Sequence, residues 1–460
     1  MRGSQVFALG ILAAGVTGRS LDAPKPDSMP TRWHVDGPSA QQPIHTDSQG
    51  GKIQADGWMV QEQDSRVCDA GSRQFTGRVN VTDDKSMFFW FFESEAQAKT
   101  KPVVIWLNGQ PAGVGLSTVA DPETIPKDLA EASGDFIALL DTIFGDIFPQ
   151  FASNPIVIAG ESFGGAYAPR YAYDIAQRST AQRRKSTLQI SGLILLNAIV
   201  SGTYITSGHY NMFCQDGGSP LRFNDTSCAA MAAAIPECER LQVICDITRD
   251  GHACMAAEEY CQSTVYTYFS EEVEAHRHSP YDVRQPCPHP PVCDAGDTGL
   301  TGSPSAYLGR RDIQELLGFD THVNYTAINF DLNGKWAEEP STYVPRTMEL
   351  ASLLNSQTEV LVVNGNMDVS VNTPGILMTY DNLPWNRQVN FRLQTLTKWT
   401  WTNEAGDEVT GGGHKGVPGL EIYTVDEAGH MAAADQPSSL IQFQFAIDAV
   451  DAVDAAGNEG

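Results

Sequence analysis

An apolar run, Pro155-Ile156-Val157-Ile158-Ala159, leads into Gly160-Glu161-Ser162-Phe163-Gly164 and then into a helix-like segment from Ala166 to Arg178. A strand, a sharp turn and a helix with serine at the apex leave little choice in what surrounds them. Glycines two positions either side of the serine let the backbone take a strained turn and pack closely, which lifts the hydroxyl above the sheet. Ser162 alone among the serines has this pair of glycines. It is therefore the candidate nucleophile.

A serine hydroxyl reacts only when a base takes its proton, so the chain must also supply a histidine and a group to orient it. The run Glu359-Val360-Leu361-Val362-Val363 reads as a buried strand and ends in Asn364-Gly365-Asn366-Met367-Asp368. Leu420-Glu421-Ile422-Tyr423-Thr424-Val425 reads as another, followed by Asp426-Glu427-Ala428-Gly429-His430-Met431. Asp368 is the candidate orienting acid and His430 the candidate base. The order Ser162, Asp368, His430, each beyond a strand, is that of the α/β-hydrolases.

Further motifs run collinearly from about Cys68 to Ile447. They include Phe88-Phe89-Trp90-Phe91-Phe92-Glu93-Ser94, Trp106-Leu107-Asn108-Gly109, Gln110-Pro111-Ala112-Gly113-Val114-Gly115, Pro280-Tyr281-Asp282-Val283-Arg284, Pro384-Trp385, Ala428-Gly429-His430-Met431 and Asp435-Gln436-Pro437. With the serine motif they resemble the serine carboxypeptidases. The resemblance implies an α/β fold: an α/β-hydrolase sheet flanked by helices, carrying a disulfide-rich lid insertion over about 200–300 within a domain spanning 61–449. Met87 to Glu93 and Val103 to Leu107 read as early sheet strands and Leu188 to Leu196 as a later one. Asn403 to Gly416, with Gly411-Gly412-Gly413, reads as a hairpin turn or exposed loop.

Eight of the nine cysteines crowd between positions 214 and 293, the pattern of a stapled insertion in an oxidising compartment. Eight cysteines allow about 105 pairings. The resemblance implies Cys214 with Cys228, Cys238 with Cys261, Cys245 with Cys254 and Cys287 with Cys293, leaving Cys68 over. Neither Cys-x-x-Cys nor His-Glu-x-x-His occurs, so no metal and no cofactor is expected.

Arg2 before the apolar stretch Val6 to Val16, with small residues at Val16-Thr17-Gly18, reads as a signal peptide over 1–18. It predicts the secretory pathway, with an extracellular or vacuolar destination. Asn80, Asn224 and Asn324 head N-glycosylation sequons. Residues 19–60 read as a polar, Pro-rich lead-in and 450–460 as an acidic tail. The formal charge of -26 disfavours nucleic acid and anionic membrane as partners, and the apolar N-terminal run is too short to span a bilayer.

The resemblance implies release of single amino acids from peptide or protein C-termini through an acyl-enzyme on Ser162. Glu161, Asn108 and Gly109 match positions that bind the substrate's terminal carboxylate, Glu161 in its protonated form, so that activity is expected in acid. Phe163 and Gly109 are the expected N–H donors to the oxyanion. One departure stands out. Members of the family carry a few dozen residues where this chain joins Asn108-Gly109 directly to Gln110-Pro111. With them go a glycine donor, a cysteine, a glutamate and a stretch of sheet. Leu196-Asn197-Ala198 also replaces the family's Gly-Asn-Gly. Three readings stay open: a damaged version of an active enzyme, a weak enzyme in which Gly109 or Gln110 substitutes, and a non-catalytic relative. A carboxypeptidase-like acyltransferase or an esterase would use the same serine and histidine.

Overall fold

The structure, a computed structural model, describes residues 52–94, 101–107, 114–178, 188–215, 218–290, 293, 304–325, 329–402 and 407–437. Twelve strands among them form two sheets. β1 (Lys52–Ala55), β2 (Trp58–Gln63), β3 (Gln74–Asn80) and β4 (Lys85–Phe92) run as an antiparallel meander. The central sheet holds β5 (Val103–Leu107), β7 (Ile156–Glu161), β8 (Ile190–Leu196), β9 (Glu359–Gly365), β10 (Thr397–Thr402), β11 (Glu408–Val417) and β12 (Leu420–Val425), in the order β10-β11-β12-β9-β8-β7-β5. The short β6 (Thr118–Val119) joins the first sheet by pairing with Lys85 and Ser86.

From β12 to β5 the central sheet is parallel, and β10 and β11 extend it antiparallel. Parallel strands are covered on both faces and so read as continuous apolar runs. Every residue of β7 is buried. Helix α1 (Leu129–Thr142) starts at Asp128, whose carboxylate accepts from the amides of Ala130 and Glu131. It turns its apolar face, with Phe136, Leu139 and Leu140, into the main core beside α2 (Gly164–Ala176). Capping of this kind contributes about 1 kcal/mol.

The strand reading of Met87 to Glu93 holds, but β4 does not join β5. The two lie in different sheets. None of the residues of β4 is buried, although Met87 to Phe92 are all apolar. Between β4 and β5 runs a cleft of about 790 Å³, floored by Phe136, Leu139, Ile143 and Phe144. Phe92, Val104 and Trp106 stand 48, 40 and 42% exposed on its walls.

Two boundaries differ from the sequence reading. Strand structure is present within the stretch read as lead-in, because β1 and β2 pair from Lys52 opposite Gln61 to Ala55 opposite Trp58. Gly411 to Gly413 lie within β11 of the hairpin rather than at its turn: a side chain on Gly411 would strike the ring of Trp399 across the pair. The segment after β8, where the lid insertion is expected, is largely helical, with α3 (Gly202–Cys214), α4 (Asp225–Thr248), α5 (Gly251–Cys261) and α6 (Thr267–Glu274). Asn224 and Asp250 cap α4 and α5 through the amides of Ser227 and Ala253.

All four disulfides join the implied pairs, Cys214–Cys228, Cys238–Cys261, Cys245–Cys254 and Cys287–Cys293. Cys68 is a free, exposed thiol. Among the described residues no helix is long and apolar enough to cross a membrane.

Candidate active site

Ser162 sits at the turn between β7 and α2 with φ of 58°. A non-glycine residue held there costs on the order of 1–3 kcal/mol, so the surroundings must fix it. They do so through the main chain. The Ser162 amide donates to Leu196 O at 3.1 Å, and its carbonyl accepts from Gly165 N at 3.0 Å and Ile199 N at 2.8 Å. The flanking glycines answer a second need, close approach. A side chain on Gly160 would meet the Gly164 carbonyl, and one on Gly165 would meet the backbone of Ala198 and Ile199.

Three consecutive strand ends bring the rest together. β12, β9, β8 and β7 are neighbours in the sheet, so the loops after them share one edge. His430 Nε2 lies 3.0 Å from Ser162 Oγ, and its Nδ1 lies 2.7 Å from Asp368 Oδ2. Ser162 and His430 are each 2% exposed and Asp368 is fully buried. The tautomer with Nδ1–H donating to the carboxylate leaves Nε2 free to accept the serine proton.

Asp368 receives two more donors. Its Oδ1 accepts from Val371 N at 3.0 Å and its Oδ2 from Asn197 Nδ2 at 2.7 Å. Burial works against a charged imidazole at His430, but the adjacent Asp368 carboxylate, its hydrogen bond and the charge of Glu161 outweigh it and hold the histidine above its ordinary value. Nearby, His209 on α3 is fixed between Thr206 O at 3.0 Å and Val369 O at 2.9 Å. Burial there pushes its pKa down to about 4, against the pull of those carbonyls and of Asp368.

The segment 280–284 braces both loops. Pro280 O accepts from Val369 N and Ser370 N, Val283 N donates to Met367 O, and Tyr281 O accepts from His430 N at 2.7 Å. Arg284 bonds to Glu427 at 2.6 Å, and Asp435 Oδ2 accepts from Gly429 N at 2.7 Å. The sequence reading noted these motifs without giving them a task. Asn197 was likewise seen only as a departure, and Val371, which acts through its amide, left no signal in the sequence at all.

Glu161 ends β7 and is 4% exposed, one residue from the serine and close enough to bias His430. Phe163 opens α2, and beyond its ring lies a largely apolar pocket of about 100 Å³ walled by Tyr167, Ile199, Trp336 and Tyr343. Glu258 and Arg346 reach its wall as well. Asn108 and Gly109 lie outside the described residues. The sequons do not: Asn80, Asn224 and Asn324 are all exposed. Among the described residues no group of three or more His, Cys, Asp or Glu is arranged to hold a metal.

A family profile described as serine carboxypeptidase matches residues 66–109 and 110–447. The chain belongs to the serine carboxypeptidase family. Carboxypeptidase Y homolog A of Aspergillus fumigatus is 26% identical over 442 residues, covering 85% of this chain and 77% of the relative. A vacuolar serine-type carboxypeptidase of Saccharomyces cerevisiae is 25% identical, covering 80% and 78%. The crystal structure of Kex1, a prohormone-processing carboxypeptidase of Saccharomyces cerevisiae, superposes with a TM-score of 0.65 at 18% identity, over 86% of this chain and 94% of that one. The carboxypeptidase match is interrupted between Gly109 and Gln110, two residues beyond β5.

Proposed function

We propose that this chain is a serine-type carboxypeptidase that removes C-terminal amino acids from peptides in acid, through an acyl-enzyme on Ser162. The observation that carries it is the continuous relay Ser162 Oγ, His430 Nε2, His430 Nδ1, Asp368 Oδ2, with links of 3.0 and 2.7 Å.

In this reading Ser162 Oγ attacks the last peptide carbonyl while its proton passes to His430 Nε2. The Phe163 amide faces the oxyanion, with Gly109 as second donor. Collapse breaks the carbon–nitrogen bond, and His430 returns the proton to the departing amino acid. Water then repeats the sequence on the ester. Protonated Glu161, with Asn108 and Gly109, holds the leaving residue's carboxylate, since two carboxyls in contact share a proton at low pH. The pocket beyond Phe163 takes the side chain preceding the cleaved bond.

Were Gly109 not to take the place of the glycine donor missing at the Gly109-Gln110 junction, turnover would fall by about 10²- to 10³-fold. The signal peptide at 1–18 and glycans on Asn80, Asn224 and Asn324 belong to the same reading, with an extracellular or vacuolar destination.

Amino-acid release from a blocked dipeptide, measured from about pH 4 to about pH 7 beside Ser162→Ala, tests it. Serine-dependent release, strongest in acid, is expected. Turnover of esters or acyl-glucose donors alone would assign the site to an esterase or acyltransferase. No turnover of any of them by folded protein would make the chain a non-catalytic relative.

A further inference from the structure

We propose that Glu258 sets the side-chain preference of the pocket beyond Phe163, in favour of a neutral carboxamide of glutamine size. This rests on the reading above, in which that pocket takes the side chain preceding the cleaved bond. Glu258, on α5, is 4% exposed and lines the pocket. Its Oε1 accepts from Thr206 Oγ1 at 2.8 Å and from Gln262 Nε2 at 2.9 Å, whereas Oε2 has no hydrogen-bond partner among the described residues. Oε2 is the oxygen nearer Gly202, another lining residue, where a side chain would stand only 3.1 Å from it. Glycine there keeps the approach open.

Two more buried atoms without a partner among the described residues, Arg346 Nε and Thr342 Oγ1, belong to the same lining. Buried polar atoms are rarely left unpaired. Three around one small apolar pocket, among them a donor and an acceptor, suit a guest whose polar end completes the pairing. The volume of about 100 Å³, beside a cavity of ~150 Å³ that takes benzene, leaves room for a side chain of about four or five heavy atoms.

Charge then selects among such side chains. Arg346 and Arg249 share the single carboxylate of Glu349, so an ammonium entering beside Arg346 would meet like charge, and a carboxylate would meet Glu258. An aliphatic or thioether side chain would leave Oε2 unpaired. A carboxamide answers either form of Glu258: its amide N–H donates to the carboxylate and its oxygen accepts from the neutral acid. Both forms matter, because burial holds this carboxyl above its ordinary value against the pull of Thr206, Gln262 and Thr203.

The test compares blocked Gln-Phe and Met-Phe, whose first side chains match in length, by kcat/KM in the parent, Glu258→Met and Glu258→Gln. A ratio of two substrates on one enzyme cancels any loss of folded protein, so a merely structural Glu258 would leave it unmoved. The parent should favour Gln-Phe by about tenfold. Glu258→Met should bring the ratio to one or below, and Glu258→Gln, which still hydrogen-bonds, should keep it above one. A parent ratio of one or less, or a glutamine preference that survives Glu258→Met, would overturn the proposal. Should neither peptide be turned over, calorimetric binding to Ser162→Ala, with and without Glu258→Met, decides. A glutamine preference that Glu258→Met removes would then sink the carboxypeptidase reading and uphold the pocket's preference, whereas equal binding or none would sink both.

Discussion

Asn197 Nδ2 donates to Asp368 Oδ2 at 2.7 Å, on the same oxygen that faces His430. Asn197 holds a φ of 41°, which glycine adopts without cost. Asn197→Gly therefore keeps the backbone and removes only the amide. A buried hydrogen bond to a charged group is worth about 1.5–3 kcal/mol, so kcat/KM should fall by about 10- to 100-fold with KM nearly unchanged. Steady-state kinetics on a blocked dipeptide or ester checks it, and an unchanged kcat would remove Asn197 from the site.

Ser162→Ala should abolish labelling by a fluorophosphonate while the far-ultraviolet dichroism stays as in the parent. Ser162→Gly should do the same and, by releasing the strain at φ of 58°, exceed Ser162→Ala in stability by about 1 kcal/mol. Chemical denaturation of the two variants side by side decides this. Labelling that survives in either would displace Ser162 as nucleophile.

The charge of Glu161 helps to keep His430 protonated. A protonated His430 cannot take the serine proton, so with a neutral ester, which makes no use of the Glu161 proton, its pKa sets the acid limb of the rate. With a peptide the same limb bounds from below the acid range in which a protonated Glu161 holds the carboxylate. Glu161→Gln removes the charge, the histidine pKa falls, and the acid limb of kcat/KM for a neutral ester should move to lower pH. A limb that stays in place would show that Glu161 is uncharged wherever the limb falls.

His209 makes the fold lose stability in acid. Its folded pKa, near 4, lies below its ordinary value of 6.5, so the unfolded chain binds the extra proton first. Its contribution is whole above about pH 6.5 and is lost as the pH falls towards about 4, on the order of 3 kcal/mol in all. His209→Gln should flatten the dependence of melting temperature on pH across that window. An undiminished slope would place the acid sensitivity elsewhere.

What was legible in the sequence was what repeats locally. The buried parallel strands announced themselves as β-branched runs, the serine turn by its glycines, and the lid by its cysteines. The relay could be named because each member follows such a run. What stayed hidden depends on partners far along the chain. Val371 and Ile199 act through amides that any residue supplies, and the bracing of His430 by Tyr281 is a backbone contact between positions 149 residues apart. The separation of β4 from β5 was equally invisible, because an apolar strand reads alike whether a neighbour lies beside it or not.

All four disulfides close loops within the lid, between Cys214 and Cys293, and none ties the lid to either sheet. The cover is thus stiffened internally yet fastened to the sheet only by packing and hydrogen bonds such as His209 to Val369. Its segment 280–284 also carries the main-chain bonds that hold His430 and the loop of Asp368, through Tyr281 O and Pro280 O. Any displacement of the cover that includes this segment would therefore reach the relay itself, so that cover and catalytic geometry are coupled rather than independent.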